Sequence, residues 1–375
     1  MATTQERDRR YAALRAMMET QNYDVLLLPG NAEATQRGYV RYVSDWRLWG
    51  GKGFAILPRD GEPVLVLGAG SQSYWSARLG WIEDVRAAQD MVAEVTAVLT
   101  STGAAQRVVG VAGMDEVMMY GDARRLMQLL PAAEIIDATK AVDDIMAIKS
   151  AEELALMVET SRFVAEAHDV LAANFAPGRT ERSVMATAVQ HLAECGCHDG
   201  IAHLNNGILP FFRPPADRII EEGDTFNVSL EFAGPSGYWI ELAGVYAFRE
   251  PSPRRLRYFD TTIKAIKEVG KVLRPGVTGG DVTRTVEGVF AEDGWQVTDR
   301  GIWDGHGIGL NVIRPPYGVI DNTDVFRENM VFNVHPGLMV DDDRLGMFVQ
   351  DNLVVTPDGG NPLIDYTYAW PILPV

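Results

Sequence analysis

GHGIGLNVIRPP, from Gly305 to Pro316, is the stretch on which the reading of this chain turns. Three others accompany it. EEGDTFNVSLEFAGPSGYWIEL (Glu221 to Leu242) reads as two β-rich runs joined around Gly234 to Gly237; NMVFNVHPGLMV (Asn329 to Val340) and GMFVQDNLVVT (Gly346 to Thr356) follow. Upstream lie two long helical stretches, each interrupted by the same punctuation, PGRTERSV (Pro177 to Val184) and PGVTGGDV (Pro275 to Val282). In both, a Pro-Gly turn ends one helix and a threonine is placed to cap the next. Their 98-residue spacing predicts an internal duplication, a helix pair plus strands used twice.

The N-terminal part has a different texture. Tyr11, Leu14, Met17 and Met18 recur at helical spacing over the first 20 or so residues. DVLLLP (Asp24 to Pro29) and RVVGVAG (Arg107 to Gly113) read as buried strands, and Gly53 to Gly68 as a hairpin turning at Asp60-Gly61. VRAAQDMVAEVTAVLTSTG (Val85 to Gly103) returns to a helical period. Alternating strands and helices predict a small α/β domain over residues 1–143. The second domain, 144–375, then opens with a long helix capped by Ser150, with Glu153 completing a capping box.

The 375 residues fit two domains and can bury roughly three quarters of their unfolded surface, so no disulfide or structural metal is required. A net charge of −17 excludes a nucleic-acid partner, which would need a basic stripe. The only cysteines, Cys195 and Cys197, are read as reduced thiols. His198 beside them suggests a metal site, but no second cluster completes four ligands. The N-terminus has no apolar core of signal type, and no run approaches the roughly 18 apolar residues of a membrane span. A cytoplasmic location is expected.

In order and spacing these segments resemble the pita-bread family of aminopeptidase P, prolidase and creatinase, over essentially the whole chain. IKSAEEL (Ile148 to Leu154) is similar to the opening of that family's catalytic domain, and the Pro-Gly turns to its duplicated halves. The resemblance implies a creatinase-type N-terminal α/β domain followed by an α+β pita-bread domain with pseudo-twofold duplication. It also implies a site where two Asp, one His and two Glu hold two divalent metals. Carried over by position, those residues fall at Leu230, Glu241, His306, His335 and Gln350, the last beside Asp351. The family's His-Glu after the GHG strand appears as Ile313 and Arg314, and its substrate-side histidine as Phe211 or Phe212. Glu231 adjoins Leu230, but neighbouring strand residues point to opposite faces, so Glu231 is not expected to replace the lost Asp.

Two divalent ions need bridging carboxylates, and leucine, histidine and glutamine supply none. A dinuclear centre is therefore not expected. Glu241, His306 and His335 remain as the candidate catalytic set. They can work without metal as acid-base groups, the reading preferred here, so no cofactor is expected. The same three can instead hold a single Zn, Fe or Mn ion. The resemblance to creatinase implies hydrolysis of a C–N bond in a small, partly apolar or aromatic molecule, and the loss of the dinuclear ligand set implies an enzyme that is not a true aminopeptidase. A lyase on the same scaffold and a non-catalytic binding protein stay open. His168, His191, His198 and His203 are assigned no chemistry.

Phe211, Phe212 and Trp239 predict an apolar, aromatic pocket, with Gln350 nearby and Arg213 and Arg314 flanking it to bind an anionic group. The resemblance implies a homodimer in which an N-terminal-domain loop reaches the partner's pocket. SDWRLWGGKG (Ser44 to Gly53) is the candidate loop, with Trp46 and Trp49 as a wall and Arg47 or Lys52 for a carboxylate.

Overall fold

Tyr11, Leu14 and Met18 are buried along one side of the helix Thr4–Gln21, the first element of a computed structural model that describes residues 2–68, 70–207 and 211–375. Contacts divide the chain into two units, Met1–Met146 and Ala147–Val375. The helix Thr139–Ala147 runs through both this division and the point after residue 143 suggested by composition.

The first unit is built on a six-stranded mixed sheet. Its order is Asp84–Ala87, Val64–Leu67, Lys52–Pro58, Val25–Asn31, Val108–Val111, Glu134–Asp137. Val92, Val95, Val98 and Leu99 of the helix Met91–Ser101 share its core with Val25, Leu27, Phe54 and Ile56. The stretch expected to be helical from Val85 begins instead as a strand parallel to Val64–Leu67. Asp90 accounts for the change: its carboxylate accepts the Ala93 N–H at 3.1 Å and starts the helix there.

In the second unit the helix Ala151–Asn174 carries the expected capping box. Ser150 Oγ accepts from Glu153 N–H at 3.1 Å, and Ser150 N–H donates to the Glu153 carboxylate at 2.7 Å. The helices Glu181–Glu194 and Gly279–Glu292 both start at a threonine, Thr180 and Thr278, whose hydroxyl accepts an N–H three residues on. Gly178 and Gly276 precede them at φ +87° and +95°, a conformation that favours glycine. Each helix pair leads into a sheet. The first is Asp199–Asn206, Thr225–Ala233 and Trp239–Ala247, all antiparallel. The second takes the order Arg314–Tyr317, Gly305–Gly307, Val331–Val334, Asp351–Thr356, Gly359–Pro362. Tyr258, Phe290, Phe326 and Phe332 belong to one hydrophobic core cluster of this unit. The duplicated architecture read from the Pro-Gly turns is therefore present.

The two sheets are pinned where the site lies. The Glu241 backbone carbonyl accepts from Asn352 Nδ2 at 2.7 Å and from Asn333 Nδ2 at 3.2 Å, and Trp239 N–H donates to Gly309 O at 2.9 Å. No helix among the described residues is long and apolar enough to cross a membrane.

One buried group in this unit is expected to make folding pH-dependent. His168 Nε2 donates to Leu242 O at 3.1 Å and its Nδ1 accepts from the Tyr246 hydroxyl at 2.6 Å, so the ring is held neutral. Burial pushes its pKa down to about 4. The stability tied to that neutral ring is complete above the unfolded value near 6.5 and is lost as pH falls toward 4. At about 1.4 kcal/mol per pKa unit the loss approaches roughly 3 kcal/mol. Urea unfolding across that range is expected to show a steeper acid loss for the native sequence than for His168→Gln; equal slopes would refute it.

Candidate active site

Glu241 stands on the strand Trp239–Ala247, and the strand pairing puts Glu231 directly across from it. Opposed residues of an antiparallel pair share a face, so the two carboxylates point the same way. Leu230 pairs with Leu242 on the other face. This corrects the sequence reading, which ruled Glu231 out by assuming that Leu230 faced Glu241. The hairpin closes tightly, with Gly234 N–H donating to Tyr238 O at 3.0 Å, and that register makes Glu231 the facing residue.

Two further groups extend this face. Ser229 Oγ donates to Glu231 Oε1 at 2.9 Å and accepts from Gln350 Nε2 at 2.7 Å. Gln350 Oε1 is buried with no hydrogen-bond partner among the described residues. His203 pairs with Ser229 across the neighbouring strand and so lies on this face too, although sequence reading gave it no role.

His306 comes from the second sheet, opposite Asn333 on Val331–Val334. Gly305 before it has φ +148°, and a Cβ there would stand 2.4 Å from Asn333 O, so only glycine lets the strands approach this closely. His335 follows Val334 and donates its backbone N–H to Asp304 O at 3.1 Å, while Gly337 N–H donates to Asp304 Oδ1 at 3.1 Å. Asp304 thus ties the GHG strand to the HPG turn. Burial raises its carboxyl to about 6.

Glu241, His306 and His335 are all buried, with one donor atom from each lying within 4.8 Å of the others. His306 Nδ1 lies 3.2 Å from Gly307 O, which assigns the proton to Nδ1 and leaves the Nε2 lone pair facing Glu241 Oε1 at 3.6 Å. Burial holds the pKa of His306 down at about 4, so the pair is not an ion pair at neutral pH. Burial and the neighbouring His306 also depress His335 well below the usual imidazole range. Glu241 moves the other way, raised well above the usual carboxyl range by burial and by Glu231. Burial also raises Glu231, opposed by its hydrogen bond from Ser229. Two acceptors facing each other at this separation call for a proton or a cation between them.

The donor set fits a cation. Two N/O ligands about 2.1 Å from a tetrahedral ion stand about 3.4 Å apart, close to the observed 3.6 Å. His335 Nδ1 is buried with no hydrogen-bond partner among the described residues.

Rings surround this cluster. His335 stacks on Phe348 at 4.8 Å between centroids, Phe212 meets Phe348 edge-on at 5.1 Å, and Trp303 meets His306 edge-on at 5.7 Å. Trp239, two residues before Glu241 and on its face, is fully buried. The aromatic surroundings therefore come partly from Phe212 and Trp239, as expected, and partly from Phe348 and Trp303, which sequence reading missed. Phe211 is 53% exposed. Arg314 pairs with Gly307, beside His306. Arg213 departs from expectation: two hydrogen bonds of 2.7 Å commit its guanidinium to the buried carboxylate of Glu181. In the other unit Trp46 packs against Trp49 at 5.0 Å, Arg47 is half-buried in the same loop, and Lys52 pairs with Asp122.

Residues 155–357 match the model of metallopeptidase family M24, and residues 10–148 that of the creatinase/prolidase N-terminal domain. The probable dipeptidase PepE of Mycobacterium tuberculosis is 25% identical over 97% of this chain and 93% of its own length. Dipeptidase PepE from Mycobacterium ulcerans superposes with a TM-score of 0.81 at 24% identity, covering 100% of both chains. X-Pro aminopeptidase from Thermotoga maritima superposes at 0.84 with 18% identity, over 97% of this chain and 99% of that one. Prolidase from Pyrococcus horikoshii gives 0.79 at 19% identity, over 97% and 100%.

Proposed function

The chain belongs to metallopeptidase family M24, and we propose that it hydrolyses an amide bond in a dipeptide-sized molecule with one divalent cation held by Glu241, His306 and His335. The observation that carries this reading is the facing of His306 Nε2 and Glu241 Oε1, two buried acceptors at 3.6 Å. Relatives named as dipeptidases favour a peptide substrate. They lend no support to the expectation that the enzyme is not a true aminopeptidase.

Bound there, the cation would polarise the scissile carbonyl and acidify a water molecule. The chain's own groups do the rest. Glu231, oriented by Ser229, takes the proton of the attacking water and returns it to the leaving nitrogen. Gln350 Oε1 accepts a substrate N–H, which would satisfy an otherwise orphaned buried acceptor. Phe348, Phe212 and Trp303 receive an apolar or aromatic side chain, and Arg314 attracts the substrate carboxylate. A cytoplasmic homodimer completes the proposal.

One observation favours the metal-free alternative: Glu241 is held toward its neutral form, in which it could donate a proton to His306. Chelator treatment separates the two. Turnover of dipeptides bearing an apolar residue is expected to fall to background and to return with zinc or manganese. Undiminished turnover after metal removal would establish the acid-base reading instead.

A further inference from the structure

Glu166, His191 and Cys195 form a second cluster, sharing no residue with the first, in which one oxygen, one nitrogen and one sulfur lie within 4.8 Å of one another. Glu166 stands on the helix Ala151–Asn174. His191 lies in the last turn of Glu181–Glu194, and Cys195 is that helix's C-cap. The four-residue step from His191 to Cys195 puts both on one side of the helix end.

The separations are those of a tetrahedral ligand set. His191 Nε2 is 3.3 Å from Glu166 Oε2 and 3.7 Å from Cys195 Sγ. A zinc ion with N and O ligands at about 2.1 Å and sulfur at about 2.3 Å requires about 3.4 and 3.6 Å for these pairs. The thiol is also preorganised. Cys195 N–H donates to His191 O at 3.0 Å, Gly196 takes φ +85°, and Cys197 N–H donates to Leu192 O at 2.8 Å, which fixes the turn on both sides of the sulfur. The field favours a cation, since the helix C-terminus carries partial negative charge and Glu194 adds a second carboxylate close to the thiol. His191 and Cys195 are half-buried and Glu166 is exposed, so a cation can reach them.

We propose that Glu166, His191 and Cys195 form a second metal site, for zinc or a similar borderline-soft divalent cation, clamping the two helices with one coordination position left open. Binding replaces the Cys195 thiol proton, which passes to solvent, with a sulfur–metal bond. The proposal is independent of the catalytic reading, because the Glu241 cluster contains no sulfur.

Cobalt(II) titrated into the chelator-treated full-length protein tests it. A thiolate-to-cobalt charge-transfer band in the near-ultraviolet is expected, saturating at one equivalent of this site. It should be unchanged in His306→Ala and Cys197→Ser and absent in Cys195→Ser and His191→Ala. Zinc should raise the melting temperature of the native sequence more than that of Cys195→Ser. No band, or a band that survives Cys195→Ser, would overturn the assignment.

Discussion

His306→Ala is expected to lower turnover by about 10³-fold while leaving a cooperative unfolding transition. The argument lies in how the side chain is held. Its Nδ1 is fixed at 3.2 Å from Gly307 O, so Nε2 can serve only as an acceptor toward Glu241. The strand carrying it is placed by backbone pairing to Asn333 and by the close approach at Gly305, neither of which uses the imidazole. Removing the ring therefore removes a ligand or proton carrier without removing what builds the strand. A non-catalytic binding protein predicts a different outcome: no turnover to lose, and ligand affinity little changed. Steady-state kinetics on dipeptides, with a melting curve of the same preparation, decide between them.

The second large effect concerns Glu231 and its neighbour. Glu231→Gln is expected to cost about 10²-fold or more in kcat, since the amide cannot take the proton, with little loss of stability. Leu230→Ala should do the reverse. Leu230 is fully buried on the opposite face, so truncation should cost about 2–5 kcal/mol of stability and leave kcat near the native value. If Leu230→Ala abolished turnover in a folded protein while Glu231→Gln did not, the hairpin register would be wrong.

That hairpin also marks the limit of what could be read from sequence. The helix pairs, their threonine caps and the duplication were legible because capping and Pro-Gly turns are local signals. Glu241, His306 and His335 came from the resemblance, as the residues at the family's ligand positions, and the fold brings one donor atom of each within 4.8 Å of the others. Glu231 was not, because its role depends on register, and a one-residue change of register moves every side chain to the other face. A signal did exist: Glu231 and Glu241 stand symmetrically about Ser236, as a tight turn through Gly234 to Gly237 would require.

The remaining misses are matters of tertiary pairing. Arg213 beside two phenylalanines looks like an anion-binding group until Glu181, far upstream, takes its charge. Phe348 and Trp303 join the site only because the irregular segments before the strands Asp351–Thr356 and Gly305–Gly307 bring them against His335 and His306. Asn333 and Asn352 have no motif at all, yet both grip the Glu241 carbonyl and so set the distance between the two halves of the site. Likewise Cys195, read as an inert thiol, gained a partner carboxylate only when the helices packed.

The most direct test of a centre that holds one cation is a manganese titration of metal-stripped Cys195→Ser protein, following dipeptide turnover at each addition. Turnover should rise from background and break sharply at one ion per chain, with no rise in His335→Ala. A break at two ions, or full turnover before any manganese is added, would contradict it.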